Sequence, residues 1–234
     1  MTIFDYLFVI IFAILYPAYI FYRDRKIKQD LIDNKPGLRK RDYQLTSFWL
    51  LSLGITGIIL WIFRDRPLEK LGIDFSALWT ISISILFALI LIIYFFSMMK
   101  TIRGNSEERN SLKDKLKGTE AVEYLPRNVS EFKWFILLSV SAGISEELIF
   151  RGYLFWVFES FDSIIITIVA SSILFGLAHS YQGWNGIIKT GSMGLIMAII
   201  YVLTDSLWIP IFLHIFGDIY GGVMGLLAFE DDKD

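Results

Sequence analysis

The chain contains no cysteine among its 234 residues. That absence excludes disulfides, a thiolate nucleophile and thiol metal ligands, and it leaves the redox compartment unread. Histidine is nearly as scarce, with two in the whole chain. Neither sign of charge dominates: 22 Lys and Arg stand against 24 Asp and Glu, a net −2. The basic residues cluster in short loops, which argues against nucleic acid as a partner. The N-terminus, Met1-Thr2-Ile3-Phe4-Asp5, lacks the basic segment that precedes the apolar core of a signal peptide. Tyr6–Tyr22 is therefore read as a retained first span, kinked at Pro17. No internal repeat or low-complexity segment is evident.

What the chain has in quantity is apolar length. It is 55% hydrophobic, with a mean hydropathy of +0.55. Tyr43–Phe63 runs 21 residues without a charge, and Phe75–Met99 runs 25. Either is long enough to cross a hydrocarbon core about 30 Å thick. The runs do not alternate polar and apolar, so a β-barrel is not expected. The expected fold is all-α: a polytopic membrane protein with about seven transmembrane helices, or eight. Candidate spans lie near 4–22, 45–63, 76–99, 133–158, 163–180, 188–204 and 207–228. The first three read as ordinary apolar helices. The last four carry ionisable residues and glycines, and a polar cavity is expected among them. The organisation expected is helices and cytoplasmic loops over 1–132, a site-bearing core over 133–228 and an acidic tail over 229–234.

The loops at 23–42 and 100–133 carry eight Lys and Arg each, against three between Arg64 and Asp74. Lys- and Arg-rich loops stay cytoplasmic. The expected location is the cell membrane, multi-pass, with the N-terminus outside and the C-terminus in the cytoplasm. The stretch at 100–133 reads either as a cytoplasmic surface helix or as a solvated linker.

Inside the apolar half lies Glu146-Glu147-Leu148-Ile149-Phe150-Arg151. A charge at the centre of a spanning helix costs about 2.5–3.5 kcal/mol, so three cost on the order of 8–10 kcal/mol before pairing. Such groups persist where they pair and face a polar cavity. Glu147 and Arg151 are i, i+4 on a helix and can form an ion pair. Glu146 is rotated about 100° away and lacks that partner. The geometry suggests Glu147 as the structural carboxylate and Glu146 as the one free for general-base work. A purely structural helix–helix clamp is the competing reading, although a clamp does not need the second glutamate.

Both histidines fall in the same half. His179 ends Phe175-Gly176-Leu177-Ala178-His179, and His214 begins His214-Ile215-Phe216-Gly217-Asp218. Asp218 lies one turn after His214 and shares its face. Counted from the turn near Phe161, Glu146 and His179 lie about 22 and 27 Å deep at 1.5 Å per residue, which suits one shared cavity. His214 fits less well, at roughly 12 Å past the turn at 205–206.

Residue types exclude other intramembrane proteases. His-Glu-x-x-His is absent, Gly217-Asp218 lacks the earlier glycine of Gly-x-Gly-Asp, and Ser145 has no Gly-x-Ser-Gly around it. Ser145 reads as a small packing residue. The three motifs that are present, in this order and spacing, resemble the CAAX-protease and bacteriocin-processing membrane proteins, which include the type II CAAX prenyl endopeptidases. That family is marked by Glu-Glu-x-x-x-Arg, Phe-x-x-x-His and His-x-x-x-Asn/Asp. The resemblance covers about 133–226. The prenyl endopeptidases have asparagine where this chain has Asp218. An ionised carboxylate cannot donate to an oxyanion as an amide can, so Asp218 could instead orient His214 or help hold a metal.

The resemblance implies an intramembrane endopeptidase. Glu146 would activate water with help from His179. His214 and Asp218 would position or polarise the scissile carbonyl, and Arg151 would hold Glu147. The partners implied are the lipid bilayer and a hydrophobic peptide or membrane-protein substrate cut near the cytoplasmic face, with no cofactor. Two alternatives stay open. One is a zinc-dependent peptidase that uses His179, His214 and Glu146 as ligands. The other is a non-catalytic bacteriocin-immunity or partner-binding protein.

Overall fold

The computed structural model describes residues 1–74, 78–159 and 163–229. The expected acidic tail at 229–234 lies almost wholly outside them. The described residues form helices α1 (Ile3–Ile10), α2 (Tyr16–Ile32), α3 (Leu38–Ile62), α4 (Leu78–Gly104) and α5 (Ser106–Lys117). They continue with α6 (Val129–Glu147), α7 (Leu154–Phe158), α8 (Ile164–Ala178), α9 (Gly183–Thr204) and α10 (Trp208–Phe229). No strand occurs among the described residues. In lipid every backbone polar group must find its partner internally, which a helix achieves within one segment. By length and composition, four helices in the described residues can cross a membrane: Ile3–Ile32, Leu38–Ile62, Ser180–Thr204 and Trp208–Phe229. Ile164–Ala178 is apolar but shorter.

The basic stretch at 23–42 is mostly not a loop. α2 runs on to Ile32 and α3 starts at Leu38, leaving a tight turn with Gly37 at φ +74°. Lys, Arg and Gln are good helix formers, so charge alone does not end a helix. In the 100–133 stretch the surface-helix alternative holds: α5 is capped by Asn105, whose side chain accepts from the backbone N–H of Glu107 and Glu108.

Two π-helical turns interrupt the helices. One, Ile11–Leu15, joins α1 to α2 directly before Pro17. A proline ring collides with the carbonyl four residues back, and a widened turn relieves that collision. The other, Leu148–Tyr153, joins α6 to α7, and all six of its residues are buried. It forms the middle of the core. Phe150 packs edge-on to Phe12 at 6.0 Å and to Phe175 at 5.1 Å, and Tyr153 packs on Phe8 at 4.9 Å. A π turn disturbs the carbonyl ladder, and here Ser171 Oγ donates to the Phe150 carbonyl at 2.8 Å. Tyr153 Oη donates to the Gly57 carbonyl at 2.8 Å, tying the turn to α3.

Helix α6 is the hub, packed between α3 and α10. Ser145 is buried against Gly54 of α3, a packing contact. On the other side Gly143 faces α10. A Cβ there would stand 2.4 Å from Ile215 Cγ1 and 3.3 Å from the Ile211 carbonyl oxygen. Only glycine allows the two backbones to come this close.

Candidate active site

Glu146 and Glu147 end α6 at the point where the helix widens into the π turn. Arg151, inside that turn, reaches back to Glu147 with Nη1 2.9 Å from Oε1, and neither side chain is exposed at all. The pair therefore forms at i, i+4, but across a π turn rather than within a regular α-helix. Arg151 Nη2 donates to the Gly194 carbonyl of α9 at 2.9 Å. Its guanidinium lies over the Phe175 ring, 4.5 Å from the centroid. Gly194 leaves the room this requires: a Cβ there would meet Phe175 Cδ1 at 3.1 Å and Arg151 Nη2 at 3.4 Å. Three elements thus hold one buried cation, as a low-dielectric interior demands.

His179 caps the C-terminus of α8. Its Nδ1 donates to the Phe175 carbonyl at 2.8 Å, which leaves Nε2 free to face Glu146 Oε2 at 3.8 Å. His214, on α10, is held from the other side. Its Nδ1 donates to Glu147 Oε1 at 2.7 Å, and its Nε2 faces Glu146 Oε2 at 3.9 Å. The shortfall in depth expected for His214 does not arise. The close crossing at Gly143 brings the first two turns of α10 alongside the end of α6, and His214 arrives beside both glutamates. Asp218 stands one turn on, with Oδ2 3.8 Å from His214 Nε2 and its side chain 38% exposed. The structure thus brings all six motif residues together from three polypeptide segments. Glu147, rather than Asp218, takes the Nδ1 proton of His214 and sets its ring.

The two glutamates differ in their surroundings. Glu147 is locked between Arg151 and His214. Glu146 Oε2 is buried and makes no hydrogen bond among the described residues. Both line a cavity of about 900 Å³, together with His179, His214 and Asp218. Two imidazole nitrogens and a carboxylate are donor types that zinc takes. Among the described residues, however, no group of three His, Cys, Asp or Glu side chains converges as a metal site.

The cavity wall also contains residues that sequence reasoning passed over. Tyr16, Arg23 and Asp24 of α2 line it, as do Asp42 and Thr46 of α3. In the sequence these look like a generic span and a charged loop. The only local hint is Pro17, which marks a break in a helix that would otherwise be featureless.

Residues 128–220 match the family model described as Type II CAAX prenyl endopeptidase Rce1-like. That region contains all six motif residues, so the resemblance read from the three motifs is borne out. A protein of Bacillus subtilis (strain 168) named "Putative membrane peptidase YdiL" is 29% identical over 91 residues, 39% of this chain and 36% of that protein. The match thus spans little more than a third of the relative's length. No solved structure matches the chain significantly.

Proposed function

We propose that this protein is an intramembrane endopeptidase in which Glu146 activates water to hydrolyse a hydrophobic peptide or membrane-protein segment near the cytoplasmic face. One observation carries the reading. A carboxylate oxygen with no hydrogen-bond partner among the described residues stands 3.8 and 3.9 Å from the Nε2 atoms of two histidines, on the wall of one cavity. The match to the prenyl endopeptidase family over the same residues supports it.

Each separation is too long for a direct hydrogen bond. A water about 2.8 Å from both partners could bridge either gap. Glu146 would take a proton from that water as its oxygen bonds to the scissile carbonyl carbon. His179 Nε2, kept as an acceptor by the Nδ1–H bond to Phe175, would help to hold the water. The carbonyl oxygen then carries negative charge. His214 Nε2, when protonated, would donate to it, with the ring oriented by Glu147 as a carboxylate orients a catalytic imidazole. Glu146 would next pass its proton to the amide nitrogen, the C–N bond would break, and an acid and an amine would leave.

The test is quantitative proteomics of membranes that contain either the wild type or Glu146→Gln. At least one membrane-associated precursor should accumulate uncut in the variant. If no precursor accumulates, the non-catalytic reading takes over. Cleavage of that precursor by purified enzyme should be unchanged by a chelator, whereas loss restored by added zinc would move the chemistry to the metal.

A further inference from the structure

Three polar atoms on the same cavity wall have no part in that mechanism. Tyr16 Oη and the Nε and Nη1 of Arg23 are buried and make no hydrogen bond among the described residues. A buried donor left unpaired costs about 1–3 kcal/mol, and folded proteins keep few of them. All three belong to α2. Residues 16 and 23 are two turns apart, so they share one face of the helix, and both line the cavity that holds Glu146 and His179. Tyr16 also lies within electrostatic reach of Glu146 and Arg23.

Both side chains are held in place beforehand. Tyr16 follows directly on the π turn Ile11–Leu15, and its ring packs on Phe12 at 6.0 Å, which in turn packs on Phe150 of the catalytic π turn. Arg23 is pinned through Nη2, 2.6 Å from Asp42 and 3.0 Å from Thr46 Oγ1. Asp42 cancels the charge of the guanidinium, and the neighbouring Asp24, which takes the Tyr124 hydroxyl, adds a negative charge. Two separate unpaired N–H groups in such a setting suit neutral acceptors better than an anion. Seven residues of helix rise about 10 Å, the length of about three residues of extended peptide.

We propose that Tyr16 and Arg23 form a substrate subsite that binds main-chain carbonyl oxygens of an extended peptide lying along α2, next to the bond presented to Glu146. The proposal rests on the peptidase reading above. Like Glu146 Oε2, the donors are buried and without a hydrogen-bond partner among the described residues. An incoming carbonyl reaches them by displacing a neighbouring side chain and then finds donors that are already desolvated.

The test uses Tyr16→Phe, which keeps the ring, and Arg23→Lys, which keeps the charge beside Asp42 but removes the Nε and Nη1 donors. The substrate is a synthetic peptide spanning the cleavage site of the precursor that accumulates with Glu146→Gln. Tyr16→Phe should raise KM about 3- to 10-fold, the worth of one uncharged hydrogen bond, with thermal stability at or above wild type. Arg23→Lys should raise KM at least as much, because its donors are charged, with a modest stability loss from the bond to Thr46. Replacing substrate amides singly by esters, whose carbonyls accept more weakly, should raise KM for wild type at one or two positions and have no further effect in the matching variant. Unchanged KM in both variants overturns the subsite while leaving the peptidase reading intact. So does an ester effect that persists in both variants. If a peptide acid binds far more tightly than its C-terminal amide and Arg23→Lys alters that preference, Arg23 reads a carboxylate and the proposal is wrong. Should Glu146→Gln accumulate no precursor, the peptidase reading and the subsite fall together.

Discussion

Adjacent glutamates in one helix have been given different chemistry by their neighbours. Glu147 has two partners, Arg151 at 2.9 Å and His214 at 2.7 Å, and is fully buried. Glu146 has none at hydrogen-bond distance among the described residues. Glu146→Gln should therefore lower cleavage by about 10²–10⁴-fold while the protein stays folded and inserted. Glu147→Gln strips the charge that balances Arg151. Breaking a buried pair costs about 3–5 kcal/mol, so this variant should lose thermal stability and yield as well as activity, because His214 loses its orienting acceptor too. Activity and melting temperature, measured for both variants in detergent and in membranes, check this. Full activity in Glu146→Gln would refute the water-activation role. Unfolding of Glu146→Gln alone would exchange the two assignments.

At the level of elements, the site depends on how closely α10 approaches α6. Gly143 sets that distance. A Cβ at this position meets not only the Ile215 side chain but also the Ile215 backbone nitrogen, at 3.2 Å. A side chain can rotate away, whereas a helix backbone must translate. Gly143→Ala should push α10 outward by a few tenths of an ångström and cost about 1–3 kcal/mol, as overpacking does. The shift would lengthen the contacts of His214 with both glutamates, so cleavage should fall by more than the stability loss explains. Ile215→Ala in the same chain should recover stability only in part, because the backbone contact remains. Wild-type cleavage in Gly143→Ala would show that the crossing does not set the position of His214.

For the whole molecule, the distribution of basic residues sets an expected orientation: the turn between α2 and α3 and the helix α5 face the cytoplasm. The chain has no native cysteine, which makes a labelling experiment clean. Cysteines placed at Lys35 and at Lys115, which is exposed on α5, should resist an impermeant thiol reagent in intact cells and react after lysis. Labelling of both from outside would invert the orientation and place the proposed cleavage at the outer face.

The sequence alone determined the class of the molecule, because apolar runs of this length leave the backbone no partners except those within a helix. It also determined the identity and order of the motif residues, and the i, i+4 spacing that lets Glu147 pair with Arg151, although not the π turn across which the pair forms. It could not determine what happens between helices. The depth counted from the nearest turn set His214 apart from Glu146, and only the glycine-permitted crossing of α10 over α6 removed that offset. The partner of His214 Nδ1 was likewise undecided until three segments came together, and the choice fell on Glu147 although Asp218 is nearer in sequence. Tyr16 and Arg23 carried no signal, because a tyrosine in an apolar span and an arginine at its end are ordinary. Helical periodicity fixes neighbours within about one turn, whereas the rotation and depth of one helix against another are decided by side chains that meet across the interface.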